Sequence, residues 1–266
     1  MDKIGFIGVG NMGYPMFLGA IRAFGKERVA FTTATSKKSE WVKEQTGIAC
    51  EASNSELVAT CKYIVLAVKP QYFQSIYDEL ANKITKEHII ISVAAGITIA
   101  DMKKGFGQTT RVVRSMPNTP ALVSEGMTCV SFSEDTYQET ELQEIKEFFA
   151  SVGKFEIINE NLMNAAICAN GSSPAFVYMF IEALADSVVK YGIPRDKAYT
   201  LVAQTVLGAS KMVLETGEHP GKLKDNVCSP GGTTIAGVAA LEEYGFRNAI
   251  MKAADACYEK ATSLKK

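Results

Sequence analysis

Short apolar segments alternate with amphipathic stretches through the first half of the chain. Each apolar segment is rich in Val, Ile and aromatic residues, which is typical of strands buried on both faces of a parallel sheet. The predicted strands are Lys3–Ile7, Val29–Thr33, Tyr63–Val68, Ile89–Val93, Arg111–Met116, Thr128–Phe132 and Val152–Ile157. The predicted helices between them are 11–24, 38–45, 54–60, 71–83, 98–105 and 138–150. This alternation predicts a doubly wound α/β domain over residues 1–159.

The pattern changes near residue 160. Asn161–Tyr191 and Arg195–Thr216 have few charges and no strand-like runs, and shorter helical stretches follow at 232–243 and 247–263. Residues 160–266 are therefore predicted to form an all-helical domain. The two long helices are apolar on nearly all sides, and such helices need cover on every side. We expect a homodimer or a higher homo-oligomer joined through this half, with a compact monomeric bundle as the alternative.

Composition narrows the class of protein. The chain has 28 Lys+Arg against 29 Asp+Glu, a formal charge of −1, and 47% hydrophobic residues. These values exclude a disordered chain and argue against a nucleic-acid partner, because no positive charge is in excess. No segment has the ~18–20 apolar residues of a membrane span, and the start does not resemble a signal peptide. We expect a cytoplasmic protein with no membrane partner.

Cysteine and histidine are placed unfavourably for a metal site. The six cysteines form no CxxC pair, and His88 and His219 are the two histidines. Since zinc needs clustered thiolates or imidazoles, no metal is expected, and the cysteines are predicted to be free thiols.

A glycine motif directly follows the first predicted strand. Gly8, Gly10 and Gly13 form GxGxxG and open the first helix. In this pattern the glycines permit a tight turn, close approach of a pyrophosphate, and close packing of helix on strand. The pyrophosphate lies at the helix N-terminus, where free amides favour an anion. The motif predicts a Rossmann-type dinucleotide site, with a glycine-rich turn that binds nothing as the alternative.

The end of the second strand bears on which dinucleotide binds. NAD-selective sites place an acid roughly 20 residues after the motif. Here the chain reads Thr35-Ser36-Lys37-Lys38, with no acid before Glu40. Hydroxyls and lysines suit a 2′-phosphate, so NADPH is favoured, with NADH possible. Alternatively, Ser36 caps the next helix and the lysines are solvated.

Further loops are unusual in composition. Lys69-Pro70, Ala94-Ala95-Gly96 and Ser115–Pro120 each follow a predicted strand, where ligands of such sheets bind. In the helical half, Asn170–Pro174 interrupts an apolar stretch. A second loop is expected over Leu223–Ile235. Within it, Ser229-Pro230-Gly231-Gly232-Thr233-Thr234 offers amides and hydroxyls for a small anion, most naturally a substrate carboxylate. An ordinary capped helix start is the alternative there.

Together these motifs resemble the pyrroline-5-carboxylate reductase family along essentially the whole chain. The matching segments are GFIGVGNMG at 5–13, AVKP at 67–70, AAG at 94–96, MPNTP at 116–120 and, most specifically, DNVCSPGGTTIAGVAALEE from Asp225 onward. The resemblance implies a Rossmann domain followed by a helical dimerisation domain. It also implies reduction of 1-pyrroline-5-carboxylate to L-proline by NAD(P)H.

The resemblance and the motifs together assign site residues. Cofactor contacts are expected at Ile7, Gly8, Val9, Gly10, Asn11, Met12, Gly13, Thr35, Ser36, Lys37, Asn54, Ala67, Val68, Lys69, Pro70, Val93, Ala94 and Ala95. Substrate contacts are expected at Glu160, Asn226, Ser229, Gly231, Gly232, Thr233 and Thr234. Thr234 is expected to hydrogen-bond the ring nitrogen of the substrate, and Lys69 to give electrostatic support.

One segment departs from the family pattern. Asn170-Gly171-Ser172-Ser173-Pro174 stands where the family has Ser-Gly-Ser-Gly-Pro, and Asn170 and Ser173 are expected to add bulk beside the nicotinamide. Two alternatives remain at this point. A β-hydroxyacid dehydrogenase shares the N-terminal motif but needs a lysine base on the first long helix of the second domain, and 161–189 contains no lysine. A non-catalytic NADP-binding sensor would bind cofactor without turnover.

Overall fold

The computed structural model describes residues 2–263, and a seven-stranded sheet occupies the first part of the chain. The strands are β1 Ile4–Ile7, β2 Val29–Thr32, β3 Tyr63–Leu66, β4 Ile89–Ser92, β5 Arg111–Met116, β6 Gly126–Phe132 and β7 Gly153–Ile157. Their order in the sheet is β2-β1-β3-β4-β5-β6-β7. Pairing is parallel through β5, antiparallel between β5 and β6, and parallel again between β6 and β7. The predicted doubly wound sheet is confirmed, with its last two strands reversed.

α-Helices lie in five of the six connections between these strands, and further helices follow β7. They are α1 Gly13–Phe24, α2 Ser36–Thr46, α3 Asn54–Thr60, α4 Phe73–Leu80, α5 Ile99–Phe106, α6 Glu139–Ala150, α7 Met163–Ala166, α8 Ser173–Lys190, α9 Arg195–Thr216, α10 Pro220–Val227, α11 Thr233–Glu243 and α12 Phe246–Ser263. No helix within 2–263 is long and apolar enough to cross a membrane. Residues 1 and 264–266 of the predicted domains lie outside the described residues.

Both faces of the sheet are buried, as the apolar strands predict. In β1, Phe6 packs in one core cluster with Phe17 and Phe148, while its neighbour Ile7 packs in another with Leu57 and other residues. Successive side chains of a strand point to opposite faces. The two clusters therefore lie on opposite faces of the sheet. All six cysteines are free.

The chain divides into two compact units. The first, here called the sheet unit, comprises 2–172 and 258–263, and the second, the helical unit, comprises 173–257. Residues 160–172 group with the sheet because α7 and the turns around it pack on β5 and β6. The predicted boundary between 159 and 160 remains a prediction about domain organisation.

Two helical predictions need correction. The helical stretch expected over Asn161–Tyr191, with a loop interrupting it at Asn170–Pro174, is a 3₁₀ turn Glu160–Leu162, then α7, a π-helical turn Ile167–Gly171, and α8. In the π turn the amide of Ser172 donates to the carbonyl of Ile167 at 2.8 Å, which leaves room for one extra residue. The stretch from Leu223, expected to be a loop, belongs instead to α10, whose start has Pro220 at its first position and the His219 ring as its cap.

Candidate active site

The three glycines of the motif meet three different surroundings. Gly8 has φ +91°, and a Cβ there would lie 2.9 Å from the Ala67 carbonyl oxygen. A Cβ on Gly13 would lie 2.4 Å from the Gly8 carbonyl oxygen, so Gly13 permits close packing of α1 on the turn. At Gly10 a Cβ would meet nothing within 4 Å. The open space at Gly10 is where a bound phosphate can approach the backbone.

The first turn of α1 is suited to an anion. No side chain caps its N-terminus, and its first turn contains no acidic residue. Free amides at a helix start and the helix dipole both favour negative charge. The motif is thus a fitting cradle for a pyrophosphate, on backbone geometry alone.

A cavity of about 460 Å³ lies at the carboxyl ends of β1, β2 and β3. The predicted cofactor residues that line it are Ile7, Gly8, Val9, Gly10, Thr35, Asn54, Ala67, Val68 and Lys69. The others, Asn11, Met12, Gly13, Ser36, Lys37, Pro70, Val93, Ala94 and Ala95, do not line it. Since β1 lies between β2 and β3 in the sheet, this is the crevice in which open α/β sheets bind ligands.

Sequence reasoning missed several lining residues. These are Thr32, Thr33, Ala34, Tyr72, Ser75 and Ile76, whereas Lys38, which also lines the cavity, belongs to the Thr35–Lys38 segment that favoured NADPH. The first three end β2 and could have been found from the rule that ligands bind at strand ends. Tyr72, Ser75 and Ile76 face the cavity from the start of α4 and its preceding 3₁₀ turn, and no sequence motif marks them.

The end of β2 differs in detail from the expectation. Thr35, not Ser36, is the N-cap of α2, and its hydroxyl accepts from the Lys38 amide at 3.4 Å. Lys38 lines the cavity, whereas Lys37 is exposed and lies outside it. Among the described residues that line the cavity none is acidic. Lys38 and Lys69 therefore make this crevice locally cationic.

Asn54 is fixed from two sides. The Thr32 hydroxyl donates to its Oδ1 at 2.6 Å, and its Nδ2 donates to Glu79 Oε2 on α4 at 2.8 Å. These bonds orient the amide at the cavity wall beside the end of β2.

The residues that follow β4 pack within the sheet unit and do not line the dinucleotide cavity. Ala94 is buried, and its amide is bonded to the Ser92 hydroxyl at 3.3 Å. Ala95 packs against a small cluster that includes Met116 and Met163. Contact of 93–95 with a cofactor stays a prediction.

Glu160 is committed to an internal ion pair. Its Oε1 accepts from the Ile99 amide at 2.8 Å and from Arg114 Nη1 at 2.9 Å. Arg114 is almost fully buried, and its Nε and Nη2 have no partner within the described residues. Glu160 thus compensates a buried charge at the start of α5, on the wall of a second cavity of about 640 Å³. Its role as a substrate contact is untested.

The departure at Asn170 has a structural role. Its side chain is 4% exposed, and Nδ2 donates to the carbonyls of Met116 at 2.7 Å and Met127 at 3.0 Å. Asn118 completes the clamp by donating to the Asn170 carbonyl at 3.1 Å and accepting from the Met127 amide at 2.9 Å. The Asn170 side chain is therefore turned into the sheet unit and ties β5 to β6, contrary to the expectation of added bulk at a ligand.

The predicted anion loop lies in the helical unit, before α11. Gly231 has φ +67°, and the Gly232 amide donates to the Ser229 carbonyl at 3.0 Å, which closes a tight turn. Gly232 is the N-cap of α11, and no side chain bonds to the cap. The alternative of an ordinary capped helix start is thus not realised. Asn226 lies at the end of α10, and Thr233 and Thr234 open α11.

Two family models match the chain, one in each half. Residues 3–96 match a model described as NADP oxidoreductase, coenzyme F420-dependent. Residues 160–264 match a model described as pyrroline-5-carboxylate reductase dimerisation. The fold and the dinucleotide cavity agree with both, and together they define an NAD(P)H-dependent oxidoreductase with a helical dimerisation domain.

Full-length relatives narrow this class to one family. Pyrroline-5-carboxylate reductase of Escherichia coli is 42% identical over 99% of this chain and 98% of its own length. The enzyme of that name from Methanosarcina acetivorans is 41% identical over 100% and 98%. The chain belongs to the pyrroline-5-carboxylate reductase family.

Solved structures agree in fold. Plasmodium falciparum pyrroline carboxylate reductase, whose crystal structure has NADP bound, is 32% identical, with a TM-score of 0.89 over 100% of this chain and 98% of that one. The pyrroline-5-carboxylate reductase of Coxiella burnetii is also 32% identical, with a TM-score of 0.90 over 100% and 99%. Family membership argues against the β-hydroxyacid dehydrogenase alternative.

Proposed function

We propose that this chain reduces 1-pyrroline-5-carboxylate to L-proline with NADPH as the hydride donor, the last step of proline synthesis. The observation that carries the proposal is the 42% identity, over 99% of this chain, to a reductase of that name. The acid-free cavity with its open Gly10 supports the choice of a phosphorylated dinucleotide.

The sheet unit holds the cofactor. The Gly8 amide donates to the Thr32 carbonyl, so the amides of 9–13 bind the pyrophosphate, and the oriented Asn54 amide and Lys69 bind along the cavity wall. When bound, NADPH supplies a hydride to the imine carbon. Holding that carbon about 3–3.5 Å from the donor lowers the barrier by positioning alone, so no strong base is required. This suits a chain with two histidines.

The helical unit supplies the substrate loop. Free amides after Gly232 hold the carboxylate, and the Thr234 hydroxyl hydrogen-bonds the ring nitrogen. That nitrogen must stay protonated, so that the carbon of the C=N bond accepts the hydride while the electron pair of that bond moves onto the nitrogen. Asn226, Ser229 and Thr233 are assigned to the same ligand. Glu160 uses Oε1 internally, so any substrate contact it makes would use Oε2.

Turnover is the direct test of the function. The full-length protein should oxidise NADPH, followed by its absorbance, when 1-pyrroline-5-carboxylate is added, and should form L-proline in equal amount. The control substrate is 3-hydroxyisobutyrate with NADP⁺, which a β-hydroxyacid dehydrogenase would oxidise. NADPH binding without turnover of either substrate would instead support a non-catalytic sensor.

Thr234 is tested by a matched pair of variants. Thr234→Ala removes one hydrogen bond to a charged group, worth about 1.5–3 kcal/mol, so kcat/KM should fall roughly 10- to 150-fold. Thr234→Ser keeps the hydroxyl and should recover much of the loss, with NADPH affinity nearly constant in both. Near-full kcat/KM in Thr234→Ala would show that this residue merely begins the helix.

The helical unit also supports self-association. Many large apolar side chains are exposed in the described chain, among them Met179, Leu201, Leu207 and Leu214. Residues 160–264 match a family model for a dimerisation domain, which agrees with an exposed apolar surface that a second copy covers. We place the enzyme in the cytoplasm as a homodimer or higher oligomer. Light scattering at micromolar concentration should find no single-chain species, and finding only that species would refute the assembly.

A further inference from the structure

One lysine at the edge of the dinucleotide cavity, Lys38, lies against two aromatic rings, those of Trp41 and Tyr14, here called the aromatic pair. The Lys38 Nζ lies 3.8 Å from the centroid of the Trp41 ring and 5.2 Å from that of Tyr14. The rings themselves are 4.7 Å apart. Lys38 and Trp41 are three residues apart on α2 and so share one helix face, while Tyr14 stands in the first turn of α1.

The aromatic pair holds a positive charge that no acid of the described residues neutralises. No carboxylate within the described residues pairs with Lys38, and the ammonium lines the cavity beside Thr33 and Thr35. A lysine side chain normally keeps several rotamers, whose loss on binding a ligand opposes affinity. Stacking on an aromatic face orders the ammonium without cancelling its charge. Lys38 is thus ordered and remains available to an anion.

The position within the crevice identifies the anion. In this fold the ribose that carries the 2′ substituent lies beyond the end of the second strand. Lys38 is at that end, and a 2′-phosphate is a dianion that forms short bonds with an ammonium. Lys37, its neighbour in sequence, is exposed and outside the cavity.

We propose that Tyr14 and Trp41 are positioning residues that hold Lys38 for the 2′-phosphate of NADPH, and that these three residues, rather than Lys37, set the preference for NADPH over NADH. The inference rests on the proposed function in taking NADPH as the donor. It adds the residues that distinguish the two dinucleotides.

Two small probes isolate the phosphate. Adenosine 2′,5′-bisphosphate and adenosine 5′-monophosphate differ by the 2′-phosphate alone, and calorimetry on the full-length protein measures both affinities without turnover. Trp41 is the only tryptophan in the chain, so its emission reports directly on the contact between the aromatic pair and Lys38. The bisphosphate should change Trp41 emission as the ammonium moves toward the phosphate, and the monophosphate should change it much less.

The variants separate the two lysines. Lys38→Met should weaken the bisphosphate about 10- to 100-fold, the loss of a charge-assisted bond, and leave the monophosphate within about twofold. Lys37→Met and Lys43→Met each remove one positive charge from the same helix, and both should leave the two affinities nearly unchanged. Lys43 is the matched control, because it is exposed one turn further on.

Trp41 is tested through its effect on selectivity. Trp41→Leu should lower bisphosphate affinity about two- to fivefold, with no change for the monophosphate, and Trp41→Phe should restore it. Melting temperatures without ligand show whether each variant is folded.

Three results would overturn the inference: equal losses for both probes in Lys38→Met, no loss in that variant, or the selective loss appearing in Lys37→Met instead. An equal effect of Trp41→Leu on both probes would remove the positioning role. Reduction of 1-pyrroline-5-carboxylate is measured separately on the unmodified protein. Failure of that reaction would refute the proposed function without changing the binding result. Loss of the selective bisphosphate binding would refute the role of Lys38 without changing the proposed reaction.

Discussion

The glycine motif allows cofactor binding to be separated from folding. Adding one methyl group at Gly10 places a Cβ in open space, and the backbone there is not in the left-handed region. Gly10→Ala should therefore leave the free energy of unfolding unchanged or raise it by about 0.4–1 kcal/mol, because alanine restricts the unfolded chain. The same change at Gly13 puts a Cβ 2.4 Å from the Gly8 carbonyl oxygen and 2.9 Å from the Ala67 Cβ. Overpacking of this kind costs about 1–3 kcal/mol.

The effect of the two substitutions on NADPH affinity should be the reverse of their effect on stability, with the larger loss of affinity in Gly10→Ala. A phosphate oxygen bonded to the Gly10 amide would lie about 2.9 Å from that nitrogen. A methyl group on the same residue occupies the space through which the phosphate must approach. Losing one charge-assisted bond costs about 1.5–3 kcal/mol, so Gly10→Ala should bind NADPH roughly 10- to 150-fold more weakly.

Calorimetry with NADPH and thermal unfolding without it measure the two quantities. For a chain of this size each kcal/mol shifts the melting temperature by about 2–4 °C. The melting temperature of Gly13→Ala should be several degrees below that of Gly10→Ala. The melting temperature of Gly10→Ala should match that of the unmodified protein. Wild-type NADPH affinity in Gly10→Ala, or a melting temperature as low as that of Gly13→Ala, would refute the assignment of this space to the pyrophosphate.

Two further predictions concern stability. Asn170→Ala leaves the carbonyls of Met116 and Met127 without their donor, so urea denaturation should show a loss of about 1–3 kcal/mol, and an unchanged midpoint would contradict the clamp. Glu141 is buried, which raises its pKa, but bonds from Arg111 and Lys62 outweigh burial and leave that pKa below its ordinary value. Its stabilising effect should thus be complete above the unfolded pKa of about 4.3 and lost as pH falls through the lower folded pKa. Glu141→Gln should lower the melting temperature at pH 7 and flatten its fall below about pH 4, and parallel pH profiles would refute this.

The strands were predictable because burial on both faces leaves a direct mark on the sequence. A strand such as Ile89–Ser92 is apolar at nearly every position, and its boundaries agree with the prediction to within a residue. The long helix α9 was found to the residue, because the breaks on either side of Arg195–Thr216 are glycine and proline.

Features that depend on distant contacts were not predictable. Asn170 turns inward because carbonyls of Met116 and Met127, far away in sequence, lie within reach of its amide. Nothing in the local sequence indicates those partners. The pair of Glu160 with Arg114 is of the same kind, since the two residues are 46 positions apart. In each case a polar side chain that looked available for a ligand is bonded within the sheet unit.

The charge of the dinucleotide cavity is likewise set by the few residues that line it and not by the composition of the whole chain. The whole chain has a formal charge of −1, which by itself indicates no affinity for anions. At the carboxyl ends of the strands, however, the described lining holds Lys38 and Lys69 and no acid. The adjacent start of α1 adds free amides and no opposing carboxylate. Because such charges act over about 8 Å at physiological salt, a protein of nearly zero net charge can present an anion-selective crevice, and overall charge says little about what that crevice binds.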